Sequence, residues 1–206
     1  KLKQKTQVFL ENESDYYRTR LTHTLEVSQI ARAISRNLDL NEDLCECIAL
    51  AHDLGHPPFG HTGENILNYK MQNFNGFNHN EQTLRIITFL EKKYYDFNGL
   101  NLTWESLEGI IKHNGKIIDK VPFEINLYDK IHNLDIYKNP SLEAQIASIA
   151  DDIAYNNHDI DDAIRADLIT IEEISEINYF NEIIKQIKNR YSQIEKSILI
   201  NEVIRF

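Results

Sequence analysis

Apolar residues recur every three or four positions through most of this chain, which is the spacing of a helix that buries one face. The clearest run predicts a helix over 21–38, with apolar positions at Leu21, Leu25, Ile30, Ile34 and Leu38. The same spacing predicts helices over 42–54, 64–71, 81–93, 104–113, 123–136 and 141–158. Alternating Ile or Leu and charged residues over 163–204 predict two or three more.

Turn-forming residues separate these helices. Residues 55–63 contain two prolines and three glycines, which predicts a loop. Residues 72–80, 94–103 and 114–122 are also predicted loops. Because the chain has no internal repeat and no convincing period-2 alternation, the predicted fold class is all-α.

The charge of the chain restricts its ligands. Its 206 residues include 22 Lys and Arg against 32 Asp and Glu, a formal net charge of −10. An acidic surface repels phosphate backbones, so we expect nucleic acid not to be the primary ligand. Any phosphate site must then be local, built from a metal ion or a few placed cations.

Length and cysteine usage suit a single domain over residues 1–206 in a reducing compartment, which we take to be the cytoplasm. Cys45 and Cys47 lie two positions apart and cannot cross-link a fold. No apolar run approaches about 20 residues, so we expect no membrane span.

A group of histidines and acids carries the candidate chemistry. His23 is predicted near the start of the first helix, His52 and Asp53 at the end of the second, and Asp151 in the long late helix. His52 lies four positions after Ile48, on the face that turns inward. Burying a His-Asp pair is costly, and a divalent cation would compensate both residues. Two imidazoles and two carboxylates suit Mn, Fe, Zn, Ni or Mg.

Four segments resemble the HD-domain deoxynucleoside triphosphate triphosphohydrolases, the dGTPase-like family. They are KTQVF at 5–9, RTRLTHTLEV at 18–27, AHDLGHPPFGHTGE at 51–64 and ADDIAY at 150–155. The resemblance runs from about residue 1 to 166 and implies an HD-domain helical bundle. Family members normally begin before this chain and continue past it, so we expect it to lack the family's N-terminal start and C-terminal part.

The resemblance also implies a role for particular residues. The metal ligands would be His23, His52, Asp53 and Asp151, and they would hold one divalent ion. His61 and Glu64 would form a catalytic pair, with His61 as either acid or base. The substrate-binding residues would be Arg20 and His56 at the phosphates, Tyr155 and Asp159 at the deoxyribose, and Asn80 in the wall of the site.

Helical geometry favours Asp151 over its neighbour as a ligand. Asp151 shares an i, i+4 stripe with Ala147, Tyr155 and Asp159, whereas Asp152 points about 100° away. The other histidines are expected to be loop or surface residues, namely His79, His113, His132 and His158.

The implied reaction is hydrolysis of a deoxynucleoside triphosphate at the α-phosphate, which releases a deoxynucleoside and tripolyphosphate. Tyr155 under the sugar would exclude a 2′-hydroxyl. Two alternatives stay open: an HD phosphohydrolase acting on nucleoside monophosphates or cyclic nucleotides, and a non-catalytic nucleotide-binding fragment. The family also implies a homo-oligomer.

Overall fold

The computed structural model describes residues 2–5, 18–118 and 120–205. Within these ranges the chain forms α-helices and no β-sheet, and the pairing of Lys92 with Gly99 is an isolated bridge. The predicted all-α fold is confirmed. No described helix is both long and apolar enough to cross a membrane. The helices are α1 Arg20–Asn37, α2 Glu42–Ala51, α3 Gly60–Lys70, α4 His79–Arg85, α5 Trp104–Lys112, α6 Phe123–His132, α7 Leu142–Arg165, α8 Ile171–Ile174, α9 Asn178–Arg190 and α10 Lys196–Arg205.

Polar side chains determine where several helices begin. Thr19, Asn41, Asn78 and Thr103 each accept a hydrogen bond from a backbone N–H in the first turn of α1, α2, α4 and α5. Such a cap satisfies a donor that has no partner within the helix. The cap at Asn78 explains why α4 begins earlier than the apolar pattern predicts.

The segment between α2 and α3 differs from the prediction at both ends. Helix α2 ends at Ala51, so His52 and Asp53 lie in the turn that follows rather than in its last turn. Helix α3 begins at Gly60, so the predicted loop is shorter and His61 is helical. A Cβ on Gly63 would lie 2.0 Å from the carbonyl oxygen of Pro58, so only glycine lets the first turn of α3 fold against that loop.

The described chain divides into two compact units, residues 1–154 and 155–206. The first unit has a core of buried side chains from α1, α2, α4, α5, α6 and the first half of α7. The second unit has its own core of isoleucine, leucine and valine side chains from the end of α7, α8, α9 and α10. The single domain expected over 1–206 stays a prediction.

Helix α5 packs between the two helices that lead to the acid–histidine group. A Cβ on Gly109 would lie 2.3 Å from Ile48 Cδ1 of α2 and 3.7 Å from Ala144 Cβ of α7. The missing side chain therefore allows α5 to approach α2 closely. This close packing joins α2, α5 and the first turn of α7 in one core.

A buried ion pair ties the end of α5 to the start of α7. The Lys112 ammonium is 1% exposed and lies 2.6 Å from Glu108 Oε1. It also donates to the carbonyl oxygens of Asp135, Lys138 and Asn139. Because Glu108 Oε1 also accepts from the backbone N–H of Ser141, the pair holds the connection that enters α7.

Candidate metal centre and active site

Four residues that the sequence scatters along the chain converge in the first unit. His23 Nε2 lies 2.8 Å from Asp151 Oδ1, and His52 Nε2 lies 3.5 Å from the same oxygen. His52 Nε2 is also 3.7 Å from Asp53 Oδ1. His23, His52 and Asp53 are buried and form a group with metal-ligand spacing, and Asp151 closes it from the side of α7.

The hydrogen bonds of His52 fit a metal ligand. Its Nδ1 lies 2.6 Å from the carbonyl oxygen of Ala49 and donates its proton there. This leaves Nε2 facing the two carboxylates, and Nε2 is buried with no hydrogen-bond partner among the described residues. A backbone bond from the other ring nitrogen is what fixes a metal-binding imidazole. The two imidazoles and two carboxylates therefore fit one divalent cation.

Electrostatics of the group favour ionised carboxylates. Burial alone would raise the pKa of Asp53, but the charges of His52 and Arg20 lower it to about 2. The pKa of Asp151 is also lowered, because its hydrogen bond with His23 and the nearby charge of His52 outweigh its burial. The same carboxylates raise the pKa of His52 to about 9 against the effect of burial. A cation at this point would compete with that proton for the imidazole.

Arg20 supports Asp53 from the other side. Its Nη1 donates to Asp53 Oδ2 at 2.6 Å, and both side chains are buried. Arg20 Nε is buried and has no hydrogen-bond partner in the part of the chain that the structure describes. The guanidinium thus holds Asp53 with one edge, and its Nε–H is an unused donor.

A second group of imidazoles surrounds Glu64 next to this centre. His79 Nδ1 lies 2.8 and 3.0 Å from the two oxygens of Glu64, and His61 Nδ1 lies 3.3 Å from Oε2. His56 stacks on His79 with ring centroids 4.4 Å apart. His56 Nε2 is also 3.9 Å from Asp53 Oδ1, so the two groups are neighbours.

The local backbone explains how this second group forms. A Cβ on Gly55 would lie 2.1 Å from the carbonyl oxygen of His79 and 2.3 Å from the backbone nitrogen of Thr83. Glycine therefore lets α4 press against the turn after α2. The Thr83 hydroxyl bridges the two segments, accepting from Gly55 N and lying 3.3 Å from the His52 carbonyl.

The charge states in this second group differ. Burial alone would raise the pKa of Glu64, but the hydrogen bonds and positive charge of His79 lower it to about 2. Glu64 is therefore a carboxylate at neutral pH. Burial, followed by the charge of Arg20, lowers the pKa of His56 to about 3. His56 is therefore a neutral imidazole that can donate from one nitrogen and accept at the other.

Two site histidines were not predicted from the sequence. His79 was expected to be a loop or surface residue, yet it begins α4 and makes the shortest contacts to Glu64. His113 was also expected to be a loop or surface residue, yet it is buried, with its ring centroid 5.6 Å from that of His52. Its Nδ1 donates to the Ile110 carbonyl, and burial lowers its pKa to about 4.

Three predicted substrate residues lie outside these two groups. Asn80 follows His79 in α4, and its Oδ1 is buried without a hydrogen-bond partner in the described residues. Tyr155 and Asp159 belong to the second unit, and Tyr155 is 48% exposed. Their roles at the sugar stay predictions.

Comparison with known proteins shows the family of this chain. The HD domain family model matches residues 20–156. Over its own full length, the chain is 53% identical to a Bradyrhizobium sp. deoxyguanosinetriphosphate triphosphohydrolase-like protein. It covers 54% of the length of that relative. Proteins of the same name from Rhizobium meliloti and Rickettsia felis are each 51% identical, with 53% and 54% of their lengths covered. The chain thus spans about half the length of these curated relatives. It belongs to the HD-domain family.

Proposed function

We propose that this chain carries the catalytic centre of a metal-dependent phosphohydrolase that converts a deoxynucleoside triphosphate to a deoxynucleoside and tripolyphosphate. The observation that carries the proposal is the contact between two groups. The His23–His52–Asp53–Asp151 group has metal-ligand chemistry, and the His56–His61–Glu64–His79 group has proton-transfer chemistry. The two groups approach to 3.9 Å, between Asp53 Oδ1 and His56 Nε2.

One divalent ion would be held by His23, His52, Asp53 and Asp151. Mn, Mg, Fe, Ni and Zn all suit this donor set. Such an ion, when bound, supplies a Lewis acid for a phosphoryl oxygen and lowers the pKa of a bound water.

Arg20 and His56 are the proposed phosphate-binding residues. Arg20 is held against Asp53 by a 2.6 Å bond, so its remaining N–H donors have a fixed direction. His56 is buried and neutral, so it can donate to a phosphate oxygen without adding a charge. Fixed donors of this kind stabilise the charge that develops on a phosphoryl group without reorganisation.

His61 and Glu64 are the proposed catalytic pair. The attacking water must lose a proton and the leaving 5′-oxygen must gain one. Glu64 cannot supply that proton at neutral pH because its pKa is about 2. Its carboxylate instead orients His61 and His79, and His61 is exposed enough to reach a ligand, with 77% of its side chain accessible. His61 therefore moves the proton, and Glu64 fixes the direction of its imidazole.

The deoxynucleoside triphosphate substrate is the finer part of the proposal. It rests on the names of the relatives and on the four matching segments. Recognition of the deoxyribose by Tyr155 and Asp159, a wall contact from Asn80, and assembly as a homo-oligomer belong to the same proposal.

Product analysis tests this function. The chain is incubated with each deoxynucleoside triphosphate and Mn²⁺ or Mg²⁺ in H₂¹⁸O, and the products are separated by anion exchange. We expect tripolyphosphate that carries the ¹⁸O, because attack occurs at phosphorus. The Asp53→Asn variant is the inactive control.

Other products would favour the other readings. Orthophosphate from nucleoside monophosphates, or ring opening of cyclic nucleotides, would replace the proposal with a different phosphohydrolase activity. Nucleotide binding with no metal-dependent turnover would replace it with a non-catalytic role. Tripolyphosphate without the label would contradict attack at phosphorus.

A further inference from the structure

The group around Glu64 has a second property besides proton transfer. His56, Glu64 and His79 each offer one ligand atom, and these atoms lie within 4.8 Å of one another. This group shares no residue with the His23–His52–Asp53 group. It is therefore a second arrangement with metal-ligand spacing in the described part of the chain.

Its dimensions suit a small dication. With metal–ligand bonds of about 2.0 Å, two ligand atoms of a tetrahedral zinc site lie about 3.3 Å apart. His79 Nδ1 lies 2.8 and 3.0 Å from the two Glu64 oxygens. A small increase in these two distances would admit an ion between the imidazole and the carboxylate. His61 Nδ1, 3.3 Å from Glu64 Oε2, already has this spacing and is a candidate fourth ligand.

His56 has the hydrogen-bond pattern of an unused ligand. It is 4% exposed, and its Nδ1 is buried without a hydrogen-bond partner in the described residues. Leaving a buried polar atom unpaired is costly unless something else binds it.

We propose that His56, Glu64 and His79 bind a second divalent transition-metal ion, with His61 available as a fourth ligand. Two imidazole nitrogens and one carboxylate oxygen suit Zn²⁺, Co²⁺ or Ni²⁺, whereas Mg²⁺ prefers oxygen ligands. The second site therefore selects against Mg²⁺.

This inference goes beyond the proposed function and has one consequence for it. An ion on Glu64 would occupy the carboxylate that orients His61. Excess Zn²⁺ would then inhibit a centre that Mg²⁺ or Mn²⁺ activates. The binding itself does not depend on what the centre hydrolyses.

The test is the number of Co²⁺ ions bound per chain, measured by equilibrium dialysis and by the visible absorption of the bound ion. We expect two ions for the unaltered chain. His79→Gln and Glu64→Gln should each bind one, with affinity for the second ion weakened by about 100-fold or more. His132→Gln is the matched control because His132 is exposed, stacks on Tyr128 and belongs to neither group, and this variant should still bind two.

Several results would overturn the second site. One Co²⁺ per unaltered chain at saturation would do so, and so would two Co²⁺ in both folded Glu64 and His79 variants. Circular dichroism checks that each variant is folded. If His79→Gln does not fold, Glu64→Gln alone tests the second site. Two bound Co²⁺ ions, together with no tripolyphosphate release when Mg²⁺ is the only metal present, would refute the proposed function alone. Release with Mg²⁺, together with one bound Co²⁺ ion at saturation, would refute the second site alone.

Discussion

His23 and Asp151 lie 128 positions apart in the chain, yet His23 Nε2 is 2.8 Å from Asp151 Oδ1. One residue is in the first turn of α1 and the other is in α7. Their contact closes the candidate metal centre, so it depends on the packing of helices that are remote in sequence.

Asp151 is expected to be a metal ligand, and its neighbour is not. Asp151→Asn should weaken Mn²⁺ binding by about 100-fold, because the amide supplies no negative charge to the cation. Asp152→Asn should leave binding unchanged, because Asp152 is exposed on another face of α7. Isothermal titration with Mn²⁺ measures both. Equal losses in the two variants would contradict the assignment of Asp151.

Arg20 is expected to stabilise the first unit chiefly when no cation is bound. Arg20→Met leaves the Asp53 carboxylate buried without its partner, which should cost about 3–5 kcal/mol of unfolding free energy. Saturating Mn²⁺ should recover part of this loss, because a cation replaces the missing positive charge. Urea denaturation with and without Mn²⁺ measures the difference. Arg36→Met, at an exposed ion pair with Glu42, is the control and should change little.

Lys112 is expected to be essential for the stability of the first unit. Lys112→Met removes a buried charge that binds Glu108 and three carbonyl oxygens, and should cost about 3–5 kcal/mol. The double variant Glu108→Gln/Lys112→Met should recover part of the loss, because no unpaired charge remains. Lys138→Met removes an exposed ammonium and should change stability little. A double variant less stable than Lys112→Met would contradict this explanation.

The two cysteines should react at different rates with thiol reagents. Burial raises the pKa of the Cys45 thiol against a hydrogen bond from Ser35, and its Sγ donates to the Glu143 carbonyl of α7. Cys47 is only partly buried. Iodoacetamide at pH 8 should therefore label Cys47 first and Cys45 only when α2 and α7 separate. Mass spectrometry of the labelled chain measures this, with Cys47→Ser as the control. Equal labelling of both thiols in the folded chain would contradict the packing of α2 on α7.

The local parts of the fold were predictable from the sequence. Helix positions followed from apolar spacing, and the errors were at boundaries. Helix α2 ends before His52, and the helix predicted over 81–93 ends at Leu90 after a π-helical turn. Apolar spacing indicates which face is buried, but caps and turn hydrogen bonds decide the last residue of a helix.

Part of the site was also predictable. The His-Asp pair indicated a metal site because a buried His-Asp pair is costly without a cation, and the family resemblance implied a phosphate role for His56 in the loop that follows. His79 was missed because its partner Glu64 lies 15 positions away, on another helix. The available signal was Gly55, whose absent side chain lets α4 approach. His113 was missed although it directly follows Lys112, the last residue of the buried helix α5.

The sequence by itself determined an all-α chain of the HD-domain family, because helical periodicity and short motifs depend on neighbouring residues. Only the tertiary structure decided that Arg20 holds Asp53 and that three imidazoles surround Glu64. Those contacts depend on helix packing, which Gly55, Gly109 and the Glu108–Lys112 pair set through close approach and buried charge. Such interactions join residues distant in sequence, so no local pattern records them.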